Sequence, residues 1–125
     1  MTHLYAYIKK GSSEAALQKL VANLKAAVTD GLNLRETSST VAVKELPETE
    51  CSDNLGALIL VYTAKGKGYD SKRVFAKMVN DGVREALGDV HEVKMIIKEH
   101  ANDMVGVNGV LRSLSKDVNA DYEEN

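Results

Sequence analysis

Two stretches of this chain are written to one plan. In the first, Leu17, Leu20, Val21, Leu24 and Val28 recur at i, i+3, i+4, i+7 and i+11; in the second, Phe75, Met78, Val79, Gly82 and Ala86 do the same. That spacing puts five residues on one face of an α-helix, a face that must be buried against something apolar. Each helix lies between two strand-like runs, residues 3–9 and 39–45 for the first, 57–64 and 92–98 for the second. "ALILVYTA" at 57–64 is nearly all apolar, as a strand covered on both faces should be. Each helix follows a lysine-glycine loop, "IKKGSSE" or "AKGKGYDSK", and the units close on "VAVKELP" and "MIIKEHA". A crossover helix of this length lets the two strands of a unit run parallel. The reading is an α/β chain of two tandem β-α-β units, repeats 1–56 and 57–113, forming a four-stranded sheet with two helices on one face. Residues 114–125 are expected to form a polar, acidic tail that opens with a short helical turn at Leu111, Leu114 and Val118.

Local signals refine the boundaries. Ser12 and Asp70 are expected as N-caps. Gly31 and Gly88 stand where each helix should stop, and glycine tolerates the left-handed conformation common there. The glycines of "MVGVNG" permit a tight turn or hairpin.

At 125 residues the chain has the length of one domain, with 44% hydrophobic residues and a net charge of −2. That charge argues against a general nucleic-acid binder. No apolar run approaches the ~20 residues that cross a membrane, and the start lacks the basic-then-apolar pattern of a signal peptide. Cys51 is the single cysteine, so no internal disulfide is expected, and a cytoplasmic setting fits. Nothing near Cys51 supplies the base a nucleophilic thiol needs. His3, His91 and His100 lack metal-ligand spacing, and no metal or cofactor is expected. "GKGYDSK" lacks the ending of a phosphate-cradling loop.

Four lysines carry the clearest charge signal. Lys9, Lys10, Lys65 and Lys67 follow the first strand of each unit, beside helix N-termini, where unpaired amides favour anions. They read either as an anion-binding rim or as solvated loop lysines. Tyr5 and Tyr7 share the strand face opposite Leu4, Ala6 and Ile8, and read as packing against another subunit or as a pocket wall.

With a strand at the extreme amino terminus and "HEVKMIIKEHANDMVGVNG" closing the second unit, the chain resembles the tautomerase superfamily. That family includes 4-oxalocrotonate tautomerase, 5-carboxymethyl-2-hydroxymuconate isomerase and macrophage migration inhibitory factor. The likeness spans residues 2 to about 113, and the two-unit length is nearest the hydroxymuconate isomerase branch. It implies a homotrimer, and action on or binding of a small acidic, conjugated keto compound. In that family an amino-terminal proline moves the proton; here the matching residue is Thr2, the catalytic candidate. Thr2 offers a primary amine only once Met1 is removed. The positions of the family's carboxylate-holding arginines fall on Ser12 and Thr40 in the first unit, on Tyr69 and Lys94 in the second. The aromatic beside the pocket falls on Cys51 and Val105. The resemblance thus implies a small anionic ligand held by Lys94, Tyr69, Lys10 and Val105, with tautomerase or isomerase chemistry weak or lost. Two alternatives share the element order: a non-catalytic ligand- or partner-binding relative, and a ferredoxin-like binding module with its first and third strands as central neighbours.

Overall fold

Alternation of small and branched apolar residues produces the strand at the amino terminus. In the computed structural model, which describes residues 1–35 and 39–114, β1 runs Thr2–Lys9. Thr2, Leu4, Ala6 and Ile8 are buried on one face, while His3, Tyr5, Tyr7 and Lys9 take the other. β2 (Ser39–Leu46) runs parallel to β1, and β3 (Ala57–Ala64) runs antiparallel to it. β4 (Val93–His100) runs parallel to β3. The sheet order is β2-β1-β3-β4.

The first and third strands are central neighbours, as expected of a ferredoxin-like module. Pairing separates the two folds: here each unit pairs its own two strands in parallel, and β1 runs antiparallel to β3. The two units also end alike. Lys10 N donates to Leu46 O at 2.8 Å, and Lys65 N donates to His100 O at 2.9 Å.

Helices α1 (Glu14–Ala26) and α2 (Tyr69–Leu87) both cover the face that carries Leu4, Ile8, Ile59 and Val61. Leu20, Leu24 and Val28 from the first helical stretch are fully buried, as are Phe75 and Val79 from the second. Val83 joins them one turn further along. Asn23 ties the helices together, its Nδ2 donating to Gly82 O at 3.0 Å and to Glu85 Oε1 at 3.2 Å. A β-carbon on Gly82 would stand 3.0 Å from Asn23 Cβ, so the small residue sets how closely the helices approach.

The caps differ from expectation by a residue or two. Ser13, not Ser12, caps α1 by accepting from Ala16 N at 3.1 Å. α2 starts at Tyr69 behind an extended Gly68, so Asp70 lies inside the first turn, 3.7 Å from Arg73 Nη2. Gly88 ends α2 with φ +82°, as expected. Gly31 does something else. It closes a π-turn, Ala27–Gly31, and the left-handed residue is Asn33 two positions on. A β-carbon on Gly31 would stand 3.0 Å from Phe75 Cα, so glycine is needed there for close packing of the helices.

After β4 the chain forms a hairpin, β5 (Gly106–Val107) against β6 (Val110–Leu111). Asn108 and Gly109 turn it with φ +51° and +84°, the two-residue geometry that asparagine-glycine favours. Arg112–Leu114 form a 3-10 turn; Val118 and the acidic tail lie outside the described residues.

Candidate functional site

The start of β1 is the most constrained polar spot in the sheet. Thr2 and Thr63 face each other across the β1–β3 pair. Both are fully buried, with their hydroxyl oxygens 2.8 Å apart in a hydrogen bond. A lone buried hydroxyl costs about 1–3 kcal/mol, so each threonine answers the other. Met1 is half-buried and packs on the core beside them.

His3 stands next to this pair on the open face of the sheet, half-buried. Its imidazole is held below the usual histidine range, first by burial, then by the positive amino terminus, then by His100. Those causes place the amino terminus and His100 each close enough to His3 for their charge to act on it. A lowered imidazole is a free base at neutral pH, with a lone pair available. A depressed folded pKa also means that unfolded chains bind more protons. His3 therefore contributes stability above its unfolded value, and that contribution is lost as pH falls through the folded value. Imidazole titration followed by NMR is expected to give His3 a midpoint below 6.5. His3→Gln should remove the matching loss of stability on acidification.

Glu99, the neighbour of His100, lies on the other face. Its Oε1 is paired with Lys72 Nζ at 2.9 Å, so it is held by α2 and kept away from the histidines.

The candidate residues divide between the two ends of the sheet. Thr2 begins β1 and Tyr69 begins α2 after the end of β3, while Val105 follows the end of β4. These three share the amino-terminal end. Lys10 follows the far end of β1, roughly 26 Å away at the usual rise per strand residue. Lys94 pairs with Leu58 near that far end, and its Nζ lies 3.3 Å from Glu92 Oε2. Tyr69 is 79% exposed. One chain does not bring the five together.

The loop lysines also divide. Lys9 Nζ donates to Asp53 O at 2.8 Å, while Lys10 and Lys65 are exposed. Lys67 is 5% exposed and donates to Ala64 O at 3.4 Å, neither rim nor solvated loop. The amides before α1 are already answered: Gly11 N and Ser12 N donate to Glu45 Oε2 at 3.2 and 3.4 Å. The chain's own carboxylate fills the place where an outside anion would bind. This was not readable locally, because Glu45 is more than thirty residues away from both amides. Beside it, a groove of about 490 Å³ runs between α1 and β2, lined by Leu17, Val21, Val43 and two glutamates. Among the described residues no three His, Cys, Asp or Glu side chains converge as a metal site would require. No described helix is long and apolar enough to cross a membrane.

No family model and no curated protein matches the sequence. Solved structures do. A fused 4-OT, solved as a symmetric trimer, superposes with a TM-score of 0.83 over 89% of this chain and 96% of that one, at 21% identity. A crystal structure of native fused 4-OT gives 0.81 over 90% and 98%, also at 21% identity. A malonate semialdehyde decarboxylase gives 0.70 over 82% and 88%, at 16% identity. The chain has the tautomerase fold, as the resemblance of its sequence implies, and the fused two-unit form of it.

Proposed function

We propose that this chain is a homotrimeric tautomerase-fold protein that binds a small anionic, conjugated keto acid at its amino-terminal end, with little proton-transfer activity. The observation that carries the reading is the buried Thr2–Thr63 pair. It occupies the place where the fold's usual chemistry needs a proline amine, and it answers itself rather than a substrate. Met1, His3, Tyr69 and Val105 form one wall of the ligand site, beside the buried Thr2. Lys10 and Lys94, at the far end of the sheet, complete it from another chain.

The trimer is supported by surface chemistry. Tyr5, Tyr62 and Ile96 are 39%, 37% and 53% exposed on the sheet face that no helix covers. Tyr5 and Tyr62 stack edge to face, with ring centroids 6.1 Å apart. Met104, Val110, Leu111 and Leu114 are also exposed around the hairpin. Apolar surface of this extent calls for a partner, and ring closure also protects the raw edges of β2 and β4. Four of the similar solved structures are described as trimers.

One experiment tests the assembly and the ligand together. Sedimentation in dilute buffer should give the mass of three chains, and Ile96→Asp should shift it toward the monomer. Titration of the trimer with a small dicarboxylate at low ionic strength, where exposed charges act most strongly, should show binding that Lys94→Ala weakens. A monomeric wild type would overturn the assembly, and a trimer indifferent to dicarboxylate would overturn the ligand class.

A further inference from the structure

The open face of the sheet has a one-sided charge. The four strands contain two carboxylates, Glu45 and Glu99, and both are engaged on the helix side, with the Gly11 and Ser12 amides and with Lys72. The ionisable side chains left on the open face are basic or phenolic. Among the lysines there, Lys9 and Lys94 have partners within their own chain, the Asp53 carbonyl and Glu92. Lys44 and Lys98 are exposed, and their side chains make no hydrogen bond or ion pair among the described residues.

These two lysines occupy matching places. Lys44 is the lysine of "VAVKELP" and Lys98 that of "MIIKEHA". Each stands beside a tyrosine on the adjoining central strand: Lys44 pairs with Tyr7, and Lys98 pairs with Tyr62. Tyr62 is in turn paired with His3, four residues along β1 from Tyr7. The two Tyr–Lys couples thus lie on opposite edges of the face, about 13 Å apart along the strands. A single anion cannot bridge both within one chain.

Resting on the trimer reading, we infer that the ring binds two multivalent anions between its sheets, one held by three copies of Lys44 and Tyr7, the other by three copies of Lys98 and Tyr62. A ring that buries Tyr5, Tyr62 and Ile96 turns the open faces of its three chains toward one another. Each unpaired lysine then loses water with no carboxylate of its own face to meet it, which is unfavourable unless a counter-ion enters. Ammonium and phenol groups converging from three sides suit an oligophosphate or a tricarboxylate, whose several oxygens accept charge-assisted hydrogen bonds at once. This site lies on the face of the sheet and uses none of the groups assigned to the keto-acid site.

Inorganic triphosphate is the probe. Calorimetric titration of the full chain, with sedimentation of the same samples and a sodium chloride control at equal ionic strength, should find two triphosphates per three chains. Lys44→Gln and Lys98→Gln, at exposed positions, should each remove one of the two and leave the other's affinity within about threefold, as expected for separated sites. Lys77→Gln, on the outer face of α2, should change nothing. A trimer that takes up no triphosphate, or whose stoichiometry neither variant alters, overturns the inference while the ring stands. A chain that stays monomeric with and without triphosphate overturns the ring and the shared sites with it.

Discussion

An enol diacid mixed with this chain is expected to ketonise little faster than in buffer. The reaction that the resemblance implies uses a base with a lone pair at the amino terminus, poised near working pH. Here residue 2 is a threonine whose side chain is spent on Thr63. The arginine positions implied by the resemblance hold Ser12, Thr40, Tyr69 and Lys94, and lysine lacks the two-pronged carboxylate grip of arginine. Losing one preorganised charged contact costs about 10²–10³ in rate, and losses of groups acting together do not simply multiply. Thr2→Pro should return the right kind of amine once Met1 is removed, which a mass spectrum of the amino terminus checks. Alone, that change strands the buried Thr63 hydroxyl at a cost of about 1–3 kcal/mol. Thr2→Pro with Thr63→Val should therefore be the better-folded variant and show the larger gain in rate. Turnover by the unaltered protein at an enzyme's usual pace would refute the proposal of little activity. The base would then be His3, whose lowered pKa should set the acid limb of the rate profile, and His3→Gln should abolish it.

Phe75→Ala is expected to cost about 3–5 kcal/mol, the usual range for emptying a buried aromatic site. That is a large share of the roughly 5–15 kcal/mol available to a domain. Phe75 has 0% exposure, and its backbone and ring back onto Gly31 at the end of the π-turn. The cavity would open between the two helices, under the sheet that carries Thr2 and Thr63. Urea unfolding should show the midpoint fall with little change in slope. Phe75→Leu, which keeps much of the volume, should lose clearly less. Equal losses for the two would mean that the ring itself is not what fills the space.

Strands and helix faces were legible because their signals are local. Alternation placed Leu4, Ala6 and Ile8 inward, and the 3.6-residue period picked out Leu20, Leu24, Phe75 and Val79, all buried. Caps were legible only to within a residue or two. Ser12 and Ser13 are chemically equal, and which of them caps depends on where the backbone turns. Gly31 was legible as a special position, though not for its reason. Its need for glycine comes from Phe75, forty-four residues away.

The sequence by itself determined the element order and the inward and outward faces of each element, which follow from residue identity and short-range periodicity. It also sets Thr2, Ser12, Thr40, Tyr69 and Lys94 at the places the resemblance assigns to the family's proline and arginines. The tertiary structure alone decided which groups answer one another. The antiparallel register of β1 on β3 sets Thr2 against Thr63 and His3 beside Tyr62. The fold of β2 onto β1 brings the Glu45 carboxylate to the amides of Gly11 and Ser12. Strand direction sends Lys10 and Lys94 to the opposite end of the sheet from Thr2. Register and direction are set by how two hydrophobic faces close on each other over long separations, and a pattern confined to a few neighbouring residues does not encode that.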